Sequence, residues 1–191
     1  MGGHKKYSGY TSYQYLEKGI DYASPPLQKQ TDRAPKYEFG LSKTQEERVQ
    51  QIIEKNVIIS IHDHINVSTE KGYTGPMPRN GRRFTAYESL AYVGFDCVFD
   101  GIGGSTWNDL INNLGMILTD YQHQDFVIPC LKAEDVELAF GEGKCAVLSG
   151  IETADPIDRV VDRIDILHGL GIRAIGICYN ETNNLGSGLS E

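Results

Sequence analysis

The stretch VIISIHDH, residues 57–64, joins a largely apolar run with three isoleucines to a His-Asp-His cluster. A short apolar run of this kind is the pattern of a strand buried on both faces. The cluster then falls where the strand ends, and parallel α/β sheets bind ligands at the carboxyl ends of their strands. His62 and His64 stand two residues apart, so in an extended chain both imidazoles point to one side and can reach one ion. The spacing by itself equally allows two hydrogen-bonded histidines with no ligand between them.

Outward from this stretch, strands and helices alternate. Ser42 and Gln45 have the spacing of a capping box and open a helix over 44–56. After the 57–61 strand comes a polar, Gly/Pro-rich connection over 65–84, long for a compact domain and expected to form part of a pocket wall. Thr85 and Glu88 repeat the capping spacing for a short helix ending near Val93, and FDCVF (95–99) reads as a second strand finishing at Asp100-Gly101. Ser105 can cap a helix whose Trp107, Leu110, Ile111, Leu114, Ile117, Leu118 and Tyr121 form one apolar stripe. A short extended piece (126–128) and a helix (133–140) precede CAVLSGI (145–151), a third strand ending in Glu152. Asp155 and Pro156 suit the start of a helix with Ile157, Val160, Val161, Ile164 and Leu167 on one face. Gly169 and Gly171 close it, and IRAIGIC (172–178) is the fourth strand.

Strands separated by such helices imply right-handed βαβ units and a parallel sheet. Two architectures satisfy this order: half of a (β/α)8 barrel, or a small doubly wound sheet. Residues 1–41 stand apart as an arm, with Tyr7, Tyr10, Tyr13, Tyr15, Tyr22 and Tyr37 and no periodicity.

Composition narrows the function classes. Eighteen basic against 26 acidic residues give a net charge of −8, which argues against nucleic acid or an anionic membrane as partner. Cys97, Cys130, Cys145 and Cys178 lie singly in or beside apolar runs without CxxC spacing, as buried thiols of a reduced compartment do. No signal peptide pattern or long apolar span is present, so a cytoplasmic location is the expectation.

Each strand end carries polar groups: His62-Asp63-His64, Asp100, Glu152, and Tyr179-Asn180-Glu181. In a parallel sheet these converge on one face. Two histidines with a carboxylate from another strand can hold zinc or another divalent ion, which activates water. Glu152 is open to a second reading as a charge at a helix N-terminus, and Asp100-Gly101 to one as a turn. The 101–104 run matches neither phosphate-loop pattern and reads as a turn. His123 and His168 read as surface residues, and His4 lies in the arm.

The blocks SIHDH, AYVGFDCVFDGIGG, DFVIPCLKAEDVELAFGEGKCAVLSGIE and DRIDILHGLGIRAIGICYNETNNLGSG resemble the membrane (renal-type) dipeptidases, peptidase family M19 of the amidohydrolase superfamily. The resemblance runs from about Ser42 to the end and is that of a divergent branch. It implies a (β/α)8 TIM-barrel metal-dependent hydrolase, of which the chain covers about the first half. It also implies one or two zinc ions, with His62, His64 and Glu152 as ligands and Glu152 at the family's bridging position. Asp100 and Tyr179 are the expected catalytic or substrate-binding residues. Two departures stand out: His64 occupies the place of an aspartate ligand, and Tyr179 that of a histidine thought to engage the tetrahedral intermediate. The family's remaining metal-binding histidines and catalytic aspartate come from later strands. The 191 residues are therefore expected to lack full activity alone and, with sheet edges unpaired, to self-associate. The substrate expected from the resemblance is a dipeptide or similar small molecule. The alternatives are another amide, ester or lactone, or a catalytically weakened fragment that serves binding or assembly.

Overall fold

The computed structural model describes residues 38–65, 87–122 and 124–190. The tyrosine-rich arm up to residue 37, nearly all of the 65–84 connection, the Thr85 cap and His123 lie outside the described residues.

Five parallel strands form one sheet: β1 (Ile59–Asp63), β2 (Cys97–Ile102), β3 (Val127–Pro129), β4 (Cys145–Ile151) and β5 (Ala174–Ile175). On one side β4 pairs with β2 in unbroken register, from Cys97↔Ala146 to Ile102↔Ile151. Its other side is divided. The short β3 takes Cys145, Ala146 and Val147, whereas β5 takes Gly150 and Ile151. Apart from β3, the spatial order β1-β2-β4-β5 follows the chain. A doubly wound sheet would reverse its strand order at a switch point. There is no reversal among the described strands, and the sheet is a half barrel.

Helix α1 (Lys43–Lys55) precedes β1, and helices α2 (Tyr87–Val93), α3 (Trp107–Tyr121), α4 (Ala133–Glu142) and α5 (Asp162–Gly169) connect the strands. The α1 capping box is present: Gln45 N–H donates to Ser42 Oγ (3.4 Å) and Ser42 N–H to Gln45 Oε1 (2.9 Å). The larger core lies on the outer face of the sheet. There Val98, Val147 and Ile151 meet Leu90 of α2, Leu110, Leu114 and Ile117 of α3, and Leu167 of α5. The opposite face carries a smaller cluster in which Cys97 and Ala146 meet Cys130 and Ala139 of α4. Helix α4 thus covers the amino-terminal part of that face and leaves the carboxyl ends of the strands open.

Several sequence expectations need correction. The 57–61 run is not a strand buried on both faces. β1 begins at Ile59 and, among the described residues, is an edge strand paired with β2 alone, and Ile61 is 79% exposed. The cap of α3 is Thr106 rather than Ser105, its hydroxyl accepting from Asp109 N–H. Asp155 and Pro156 open only a 3₁₀ turn (Asp155–Ile157), which ends where Asp158 adopts φ 52°. The following helix begins at Asp162, so Val160, Val161 and Ile164 stay exposed. The fourth strand shrinks to two residues, because beyond Ile175 the chain leaves the ladder and folds over the end of β4. All four cysteines are free, with Cys97, Cys130 and Cys145 buried. Burial first, then the neighbouring Cys130, pushes the Cys97 thiol up to about 12.

Asp96 explains why the edge strand still holds its place. Its carboxylate accepts from Ile58 N–H (2.7 Å) while its own N–H donates to the Ile58 carbonyl (2.9 Å). Asp120, on α3, is hydrogen-bonded to the Tyr87 hydroxyl of α2. Burial raises its carboxyl from 3.8 to about 7.

Two outcomes follow from these buried groups. The native state keeps the Asp120 proton to higher pH than the unfolded chain does. Its contribution to stability is therefore full below the unfolded value of 3.8 and is lost as pH rises through about 7. Urea unfolding at about pH 5 and about pH 8 checks this, and Asp120→Asn should flatten the difference. Under native conditions a thiol reagent should label Cys178, the one cysteine that is not buried, well before the other three. Mass mapping of early adducts at Cys97 or Cys145 would contradict this.

Candidate metal centre

The carboxyl ends of β1 and β4 converge on the face that α4 leaves open. At the end of β1 the register sets Asp63 opposite Asp100, on the outer side, so the flanking His62 and His64 turn to the open face. The register of β1 slips between Ser60 and Asp63. There Asp63 Oδ1 accepts from the His64 N–H (2.8 Å), which fixes the backbone where the strand leaves the sheet. Along β4 the same face carries Ala146, Leu148 and Gly150, and continues to Glu152. The backbone at Glu152 is held by the segment after β5. Gly176 N–H donates to the Ile151 carbonyl (2.7 Å), and a Cβ on Gly176 would lie 2.1 Å from the Glu152 carbonyl oxygen. Only a glycine permits that approach.

Glu152 Oε1 lies 3.4 Å from His62 Nε2 and 3.2 Å from His64 Nε2. One donor atom from each of the three residues lies within 4.8 Å of the others. The oxygen is buried, yet neither imidazole directs a well-formed hydrogen bond at it. Two imidazole nitrogens and a carboxylate oxygen bound to zinc at about 2.0–2.2 Å in tetrahedral geometry stand roughly 3.3–3.5 Å apart. The two distances to Glu152 fall at that tetrahedral edge. The rings meet edge to face rather than stacking, with centroids 4.9 Å apart and planes at 83°. The donor set therefore fits a divalent ion with nitrogen and oxygen ligands, leaving room for water.

The alternative reading of Glu152 as a helix-dipole charge loses its basis. A macrodipole needs aligned peptides over several turns, and only a three-residue 3₁₀ turn follows. Beside Glu152 opens a cleft of about 430 Å³. Its floor is Ile102, Leu110 and Ile151, and its rim includes Ser105, Asp155, Tyr179 and Glu181. Tyr179 is thus brought to the cleft, where its side chain is largely exposed. Asp100 is not. It lies within β2 instead of after it, faces the outer layer, is 1% exposed, and accepts from Ile65 N–H (3.2 Å). This is a structural acceptor that anchors the chain leaving β1. Its neighbour Gly101 faces the centre, since a Cβ there would sit 3.0 Å from His64 Cε1. Sequence reasoning missed Gly101, because Asp-Gly signals a turn.

Residues 109–191 match the model of the membrane dipeptidase family, Peptidase family M19. The matched segment contains Glu152 and Tyr179, whereas His62 and His64 precede it. No match was found among curated proteins. Among solved structures, an amidohydrolase from Pseudomonas aeruginosa superposes with a TM-score of 0.60 at 19% identity, over 74% of this chain and 40% of that one. A dipeptidase AC, a metallopeptidase of family M19, superposes with a TM-score of 0.48 at 15% identity, over 63% of this chain and 42% of that one. The chain spans about 40% of the length of these structures. The first likeness bears out the partial-barrel fold, and the resemblance to the M19 dipeptidases holds over residues 109–191.

Elemental analysis tests the centre. The protein purified with added zinc is expected to retain the metal after gel filtration, and the His62→Ala/His64→Ala variant to lose it. Equal metal content in both would place the ion elsewhere.

Proposed function

We propose, from the match of residues 109–191 to the M19 family model, that the protein is a zinc-dependent hydrolase of the dipeptidase type. Its substrate would be a dipeptide or similar small molecule, cleaved at an amide bond. The observation that carries this reading is the convergence of His62, His64 and Glu152 donor atoms beside an open cleft.

An ion held by His62, His64 and Glu152 would polarise a carbonyl and activate water near neutral pH. The chain's own residues do the rest. His62 and His64 contribute neutral nitrogens from one strand end, and Glu152 contributes a carboxylate from another, so the set neutralises only half of a divalent charge. The ion's remaining charge favours an electron-rich carbonyl oxygen or hydroxide. The apolar floor of Ile102, Leu110 and Ile151 would pack the stem of a substrate whose amide reaches Glu152. Tyr179 can donate a hydrogen bond from its phenol to an oxyanion, the part a histidine plays in the dipeptidases.

A second reading is favoured by that same phenol: hydrolysis of another amide, an ester or a lactone. A substrate panel separates the two. Zinc-dependent release of amino acids from dipeptides is expected, slow in a chain with three ligands and lost in His62→Ala/His64→Ala. Turnover of esters or lactones with none of dipeptides would select the second reading. A zinc-loaded protein that hydrolyses nothing in the panel would overturn both. Tyr179→Phe should lower kcat by about tenfold to a thousandfold with little change in KM, as expected for an oxyanion donor.

A further inference from the structure

We infer that Gly101 is a positioning residue of the metal centre: its missing side chain leaves the room that His64 and Glu152 occupy, and its carbonyl selects the nitrogen that His64 presents. The inference rests on the reading of His62, His64 and Glu152 as ligands.

Two observations support it. First, space and not backbone conformation calls for glycine here. Gly101 lies at the next-to-last pair of the β2–β4 ladder, opposite Gly150, and is not among the positive-φ glycines. A Cβ at this position would lie 3.0 Å from His64 Cε1 and 3.1 Å from both Cγ and Oε1 of Glu152. Apolar contacts settle near 3.5–4.0 Å, so an alanine must drive these two side chains outward. Their Nε2···Oε1 separation is 3.2 Å, already at the tetrahedral edge, and both would be displaced from it. Second, His64 Nδ1 lies 3.3 Å from the Gly101 carbonyl oxygen. A carbonyl only accepts, so this contact holds the proton on Nδ1 and leaves the Nε2 lone pair on the side of Glu152. Partners of this kind fix the orientation and basicity of a ligating histidine.

The test compares the wild-type chain, Gly101→Ala and a control, Gly115→Ala, a helical site with nothing within 4 Å of an added Cβ. Affinity for Co²⁺ is measured by chelator competition, and the visible absorption of the bound ion reports its geometry. Gly101→Ala is expected to keep the far-UV spectrum of the wild type, to weaken Co²⁺ binding about tenfold to a hundredfold, and to shift the visible band. The control should change neither. A wild-type chain that binds no Co²⁺ would overturn the ligand reading and this inference with it. Tight wild-type binding, matched in affinity and spectrum by Gly101→Ala, would overturn the inference alone. Should Gly101→Ala fail to fold, ¹⁵N-resolved NMR of the metal-free wild type decides. A neutral His64 carrying its proton on Nδ1 supports the assignment, and one carrying it on Nε2 refutes it.

Discussion

The six-residue register between β2 and β4 is the constraint on which the rest depends. It places Gly101 beside Gly150 near the carboxyl ends of the two strands, and each glycine admits something a side chain would exclude. At Gly150 the guest is Ala174 of β5, whose Cβ would stand 3.0 Å from an added Cβ. At Gly101 it is the His64 ring and the Glu152 carboxylate. A slip of one residue would turn every side chain of β2 to the other face. Asp100 would then point into the site and Gly101 into the outer core.

This arrangement also explains how an edge strand could carry two of the three proposed ligands. Among the described residues β1 has one partner strand, and it carries two exposed isoleucines, so burial contributes little to its position. Directed polar contacts take that role. Asp96 grips Ile58 at one end of β1, and Asp100 accepts from Ile65 beyond the other. Both carboxylates are almost fully buried. Burying such groups is costly unless they are hydrogen-bonded, and here they hold the His62–His64 segment from beneath.

The sequence marks the elements well wherever local physics decides them. The α1 capping box, the α3 stripe and the CAVLSGI strand lie close to where pattern and cap residues place them. The ligand candidates His62, His64 and Glu152 are legible from polar residues directly after apolar strands, and the structure brings all three together. What escaped depends on tertiary neighbours. Burial of β1 could not be read from its isoleucines, because burial is set by what packs on them. The role of Asp100 turned on where β2 ends, and strand ends are poorly marked in sequence. The break after Ile157 arises at Asp158, whose φ of 52° no apolar periodicity signals.

On the proposed reading, a histidine at position 64 in place of an aspartate ligand would change the charge of the centre without dissolving it. The imidazole brings a neutral donor, so two histidines and one glutamate leave a divalent ion with net positive charge. Such a donor set would leave a bound ion a stronger Lewis acid than a second carboxylate would, and would hold the cation less tightly. Orientation must then offset what charge no longer supplies. A carboxylate can bind through either oxygen over a range of angles, whereas an imidazole binds only along one nitrogen lone pair. The Gly101 carbonyl on Nδ1 and the absent Cβ beneath the ring are the features that set this direction. An aspartate at position 64 would have no ring nitrogen to donate to that carbonyl, so the histidine and the glycine beneath it make sense as a pair.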